Sequence, residues 1–318
     1  MPCDVVVAEN EPYSADPSFP PHFGRFSHPL VVAHLPAAAA GDVGTRQEVR
    51  PVDVWIDADV QGPPLPAGRV SPELRGRLAL RTDGTIAPLP ALGGGDERDE
   101  VDLRLVLDAQ GNARGTLAVV LRGREAQELS EAFLRAVGAE RQRALRDVVL
   151  AWLPWANVDE VALDSREGSW EVSLRADVSV SGYAQLESGK TWLLPGLDTL
   201  HTSWPRSRAS TLGATFATRA GRESALALNR AVQYHLHRRV ELPKGASVSR
   251  LPGPIDVRAK LVEASRAIGV DRGARVIEDD FVLGVATGTI APADYDAFVA
   301  VTRVADDGFL ASTRVGLP

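Results

Sequence analysis

The chain holds a single cysteine, Cys3, a single methionine and only three lysines, Lys190, Lys244 and Lys260, in 318 residues. One cysteine excludes an intrachain disulfide and a cysteine-rich zinc site, and leaves the redox compartment unmarked. No apolar run approaches the ~20 residues that a membrane-crossing helix needs. The start, "MPCDVVVAENEPY", lacks the basic segment, apolar core and small-residue cleavage site of an export signal. The net charge is -7, and no basic cluster is interleaved with aromatics. Nucleic acid is thereby excluded as a partner, because binding it needs a cationic surface that displaces counterions. The run "GGGDE" is followed by no Gly-Lys-Ser/Thr, so it is not a phosphate loop. No cofactor signature is found, and nothing in the sequence fixes an oligomeric state.

What is present is the mixture of a soluble globular protein, 44% hydrophobic and 24% charged. The length suggests two or three domains, with apolar side chains enough to fill cores without disulfide or metal staples. Residues 1–92 form a first unit rich in proline and loops, with "DVVVAE", "PLVVAHL" and "PVDVWIDADV" as short buried strands. "LRTDGTI" reads as a hairpin turning at Asp83-Gly84. "GGGDERDE", residues 93–100, is the best linker in the chain.

A β-rich domain is predicted over residues 101–200. Val101, Leu103, Leu105 and Leu107 alternate with polar residues; "DAQGN" turns the chain, and Leu117, Val119 and Leu121 return. A helical hairpin follows: Ala126, Leu129, Phe133 and Ala136 form one stripe, stopped at Gly138, and Leu145, Val148, Val149 and Trp152 form the next, ended by Pro154. Trp170, Val172, Leu174, Ala176, Val178 and Val180 then alternate as a strand. A further β-rich domain is predicted over 201–318. There "VQYHLHRRVEL" places Val232, Tyr234, Leu236, Val240 and Leu242 on one face and Gln233, His235, His237, Arg239 and Glu241 on the other. "RVIEDDFVLGV" is another strand, "APADYDAFVAVTRV" a short helix with Pro292 in its first turn, and "GFLASTRV" a closing strand. The fold class is α+β, mainly β.

Several residue groups could carry chemistry. His28 stands at the mouth of the strand "PLVVAHL", and Asp57 ends the run "VWID". A thiol nucleophile needs a base within hydrogen-bond reach, and that base needs an acid to fix its tautomer. From the residues alone the same pair also reads as a strand cap and a turn opener, the commoner roles. His235 and His237 share a strand face at a spacing that can bind metal, but no third ligand is recruited, so they read as a solvated face and no metal is assigned. The acids "EDD", Glu278 to Asp280, read as one solvated charge run rather than a glycosidase pair. Trp152 and Trp155 read as closing a helix onto a sheet, with sugar stacking as the functional alternative.

The order of these motifs resembles bacterial transglutaminase-like proteins, in which a papain-like core is flanked by β-rich domains. Phe26-Ser27-His28 stands where that family has Phe-Asn-His, and Trp55-Ile56-Asp57 where it has Trp-Leu-Asp before a Pro- and Gly-containing tail running to "LP". "LPKGASVSRLP" and "TIAPADYDAF…TRV" continue the likeness over nearly the whole chain. The resemblance implies that His28 moves protons and Asp57 orients it, with a peptide or protein substrate attacked at an amide and a cell-envelope location. Ser27 replaces the family's Asn, a side chain outside the triad. The family's cysteine opens a helix before the "VVVAEN"-type strand, and this sequence begins at that strand. Cys3 sits at a strand entry with no amides aimed at a thiolate, so it reads as structural and partly buried. The expectation is therefore the C-terminal portion of such an enzyme, containing half of a papain-like core and inactive alone. The alternative is a non-catalytic binding or scaffold module.

Overall fold

Alternating apolar side chains dictate most of what the chain builds. In the computed structural model the described residues are 2–9, 26–35, 52–57, 68, 70–71, 74, 77–89, 98–123, 126, 129–130, 133, 136–165, 171–197, 212–228, 231–273 and 275–317. They fall into two units, Met1–Gly93 with Arg166–Trp170 and Gly94–Ser165 with Glu171–Pro318. The architecture is mainly β.

The first unit is a five-stranded antiparallel sheet in the order β3-β2-β1-β4-β5. Its strands are β1 (Cys3–Glu9), β2 (Phe26–Leu35), β3 (Val52–Asp57), β4 (Leu78–Leu80) and β5 (Ile86–Pro88). The β4–β5 turn falls at Asp83-Gly84 as predicted. Asp83 Oδ1 accepts the Thr85 amide at 2.9 Å, and Gly84 takes φ +83°, a conformation that favours glycine. Val6, Ala8, Leu30, Val32, Trp55, Ala79 and Leu89 form its core.

In the second unit, β6 (Arg98–Leu107) and β7 (Ala113–Arg122) make the predicted hairpin, with Val101, Leu103, Leu105, Leu107, Leu117, Val119 and Leu121 all buried. Ala126, Leu129 and Phe133 are helical, and α1 (Gly138–Trp152) buries Leu145, Val149 and Trp152. Gly138 does not stop a helix; it opens α1 with φ +56°. Next come β8 (Ala156–Ser165), β9 (Glu171–Val180), β10 (Gln185–Ser188) and β11 (Thr191–Leu194), then α2 (Leu212–Phe216) and β12 (Leu226–Leu228). The remaining elements are β13 (Val232–Glu241), β14 (Ser247–Arg250), β15 (Ile255–Ala259), β16 (Val262–Val270), β17 (Val276–Val285), β18 (Gly288–Ile290), α3 (Tyr295–Leu310) and β19 (Thr313–Gly316).

An eight-stranded sheet runs β15-β16-β17-β13-β6-β7-β9-β8, beside a four-stranded sheet β10-β11-β19-β14 and the pair β12-β18. The expected division at residue 200 falls inside this unit. β13 pairs in parallel with β6, so segments from both sides of that position share one sheet. The last helix is also longer than predicted. Phe309, read from its alternation as part of the closing strand, belongs to α3, where its ring packs against Phe281 at 5.1 Å and Tyr234 at 6.4 Å. Gly308 leaves room there for the end of the Ile255 side chain of β15, which a Cβ would displace. Among the described residues no helix is long and apolar enough to cross a membrane.

One feature of β13 breaks its pattern. Tyr234, Leu236 and Val240 enter the core as predicted, and Arg238 goes in with them, 1% exposed. It finds Asp279 of β17, 0% exposed, so the "EDD" run is not one solvated patch; its middle residue points inward. Arg238 Nη2 donates to Asp279 Oδ2 at 2.7 Å, while Arg266 donates through Nε to Oδ1 and through Nη2 to Oδ2, both at 2.8 Å. Arg238 Nη1 donates onward to the Pro195 carbonyl at 2.7 Å, and Arg266 Nη1 donates to the carbonyls of Gly308 and Ala311 at the C-terminal end of α3. Carbonyls at a helix C-terminus favour a cation. Asp279→Ala should destabilise the protein by about 3–5 kcal/mol, because two buried guanidiniums lose their counter-charge. Glu278→Ala, at its half-exposed neighbour, should cost less than about 1 kcal/mol. Urea unfolding of the two variants checks this, and similar costs for both would contradict the assignment.

Candidate functional site

The His28–Asp57 pair follows from strand register. β1 pairs antiparallel with β2, matching Val6 with Leu30 and Ala8 with His28, and β2 pairs with β3, matching Leu30 with Asp57 and Val32 with Trp55. Alternation then puts His28, Leu30, Val32, Trp55 and Asp57 on one face. His28 and Asp57 are diagonal neighbours across the strands, a separation that an imidazole bridges. The His28 Nε2 to Asp57 Oδ1 distance is 2.8 Å, with the side chains 14% and 0% exposed.

Asp57 is held on its other side as well, its Oδ2 accepting the Ser71 amide at 3.0 Å. Burial pushes the Asp57 carboxyl up, but hydrogen bonds from the Ser71 hydroxyl, His28 and the Ser71 amide outweigh it and leave the group below the ordinary carboxylate value. Asp57 is therefore a fixed anion. A carboxylate accepts only, so His28 donates through an Nε2–H and Nδ1 becomes the nitrogen through which the ring would exchange a proton.

Cys3 is nowhere near this pair. It faces Ala33, five residues along β1 from the Ala8–His28 match, or about 17 Å at the rise of an extended strand. Its parity also places it on the opposite face from Val6 and Ala8. It is exposed, which corrects the expectation of a partly buried residue.

A second histidine centre, not foreseen from the sequence, lies at the other end of the same face. His34 Nδ1 meets Asp53 Oδ1 at 2.8 Å and Nε2 meets Asp4 Oδ2 at 2.9 Å; Arg81 donates to Asp53 Oδ2 at 2.8 Å while lying 5.7 Å from the Trp55 ring centroid. Hydrogen bonds to Asp4 and Asp53 raise the His34 pKa, and those from Arg81 and His34 lower that of Asp53. Carboxylates on both His34 nitrogens favour the doubly protonated ring and so hold its pKa above the ordinary imidazole value. The signal was the shared parity of Asp4, His34 and Asp53, invisible until the register is known.

In the second unit, His235 and His237 lie on the half-exposed face of β13, where the sequence placed them. His237 sits between Asp280 Oδ1 at 2.9 Å and Glu278 Oε2 at 3.1 Å, and His235 Nδ1 is 3.1 Å from Arg98 Nη2. Among the described residues no three His, Cys, Asp or Glu side chains are grouped for a metal ion. Trp152 is buried as predicted, but Trp155 is 57% exposed and does not close the helix onto the sheet.

No family model and no curated protein matches the chain. Among solved structures it is similar to a candidate protease from Parabacteroides distasonis, at 11% identity and a TM-score of 0.45, over 99% of this chain and 40% of that one. The chain thus spans well under half the length of that protein.

The carboxylates and His34 set opposite pH limits. A histidine with a raised pKa adds stability that is complete below its ordinary value of 6.5 and is lost as pH rises through its folded value. Carboxyls held below 3.8, Asp53 and Asp57, add stability that is complete above that value and is lost as pH falls through their folded values. Urea unfolding of the first unit should show a plateau between those limits and a decline on the alkaline side that His34→Gln removes. An unchanged alkaline limb in that variant would contradict the assignment. Alkylation of Cys3 by iodoacetamide should be insensitive to His28→Ala; a rate that drops with His28 would place the two in contact.

Proposed function

We propose that His28 and Asp57 are the proton-transferring half of a papain-like, transglutaminase-type centre that acts on peptide or glutamine amides. The observation that carries this is the 2.8 Å contact between His28 Nε2 and a fully buried, doubly held Asp57. A histidine whose Nε2 is fixed by a buried carboxylate is oriented for general-base work.

In the reaction a thiol gives its proton to His28 and its sulfur attacks the amide carbon. The tetrahedral intermediate collapses to a thioester as His28 returns that proton to the departing amine or ammonia. Water or a second amine then attacks the thioester, its proton passing to His28 and on to the released thiol. Asp57 stays ionised throughout and stabilises the imidazolium. The thiol is one other than Cys3, which lies at the wrong end and on the wrong face of β1. The 318-residue chain by itself then has no peptidase or cross-linking activity. A cell-envelope location belongs to the same proposal.

The position of Cys3 equally suits a non-catalytic module in which the His28–Asp57 bond closes one end of the sheet. Turnover of a glutamine-donor peptide with a fluorescent amine separates the two. The chain alone should incorporate no amine and form no thioester on Cys3. Protein from its native cells should turn over, and His28→Ala should lower that by about 10⁴–10⁶. A thioester on Cys3, or native turnover indifferent to His28→Ala, would contradict the proposal; no turnover from the native protein would favour the non-catalytic module.

A further inference from the structure

Trp55, Trp152 and Trp192 are buried, but Trp155 is 57% exposed at the entry to β8. It stands at a hollow of about 190 Å³ whose walls include Ser181, Gly182, Tyr183, Gln185 and Pro195, and among the described residues no charged side chain lines it. The walls are held from behind. Arg238 Nη1 donates to the Tyr183 hydroxyl at 3.3 Å and to the Pro195 carbonyl at 2.7 Å, so the buried Arg238–Asp279–Arg266 cluster fixes two of them. The Gly182 amide donates to Asn112 Oδ1 at 2.9 Å, and the Ala184 amide donates to the Gly111 carbonyl at 2.9 Å. The hollow is therefore built before any ligand arrives, which lowers the ordering cost of binding.

We propose that this hollow is a subsite for one neutral sugar ring of an oligosaccharide. The apolar C–H face of a pyranose fits the exposed indole, and the Gln185 amide, with one acceptor and two donors, matches adjacent ring hydroxyls, as does the Ser181 hydroxyl. Among the described walls a charged ligand would meet no counter-charge to offset its lost hydration. A proline-rich segment would need an aromatic-lined groove, yet Tyr183, the other aromatic wall, is only 6% exposed. The volume is below the roughly 300 Å³ at which pockets for whole small molecules begin, so a single ring enters and the rest of the glycan stays in solvent.

Saturation-transfer NMR of the full chain with cellotriose, maltotriose and tri-N-acetylchitotriose tests this, with a proline-rich decapeptide run alongside. At least one trisaccharide should bind with a dissociation constant on the order of 1 mM, the strength that about a dozen contacting heavy atoms provide. Trp155→Ala should weaken that binding at least about ten-fold. Gln185→Ala, on a fully exposed strand, should weaken it about three-fold or more while leaving the melting curve unchanged, which guards against a folding defect in the first variant. Absence of binding by all three sugars, binding that survives both substitutions, or binding of the peptide in their place would overturn the proposal.

Discussion

A carboxylate taken out of water must find its donors inside the protein, and each unit of this chain contains such a group with its donors in place. Asp57 in the first unit receives His28 and Ser71; Asp279 in the second receives Arg238 and Arg266. Both are fully buried as side chains. An isolated buried charge costs several kcal/mol, so the strands that carry the donors are obliged to keep their register. A slip of one residue in β2 against β3 would turn His28 to the other face and leave Asp57 without its imidazole. The geometry of the candidate site is in this sense a by-product of what the sheet needs in order to form.

The two centres differ in what they leave to do. Around Asp279 the two guanidiniums reach on to the Tyr183 hydroxyl and to backbone carbonyls at the C-terminal end of α3 and in the chain after β11, and the result is a clamp. Around Asp57 the imidazole is still 14% exposed, at the end of the sheet where β2 begins. His34, with carboxylates on both nitrogens, is a third arrangement, in which the ring joins three strands. The same residue type thus sits in different hydrogen-bond surroundings at each end of one sheet face, set by the strand register.

Alternation made the strands legible. The residues of β6, β7 and β9 go inward and outward as the sequence implies, and the motif order points to His28 and Asp57. What alternation does not carry is partnership. Arg238 occupies a core position in the row Leu236–Arg238–Val240, and only the β17 register reveals that Asp279 waits opposite. The parallel pairing of β13 with β6 joins segments far apart in sequence, so a boundary at residue 200 looked natural. Phe309 fitted a strand pattern locally but is claimed by a helix, because its ring is needed against Phe281. Trp155 follows Pro154 as a helix-closing residue would, yet it faces solvent, and no local pattern distinguishes those outcomes.

The most direct test of the central claim is to map which cysteine of the protein from its native cells is modified by a peptidyl-glutamine chloromethyl ketone, with and without His28→Ala. A papain-like centre built on His28 and Asp57 predicts a single labelled cysteine that is not Cys3, with labelling that collapses when His28 is removed. Labelling confined to Cys3, or indifferent to His28, would contradict it.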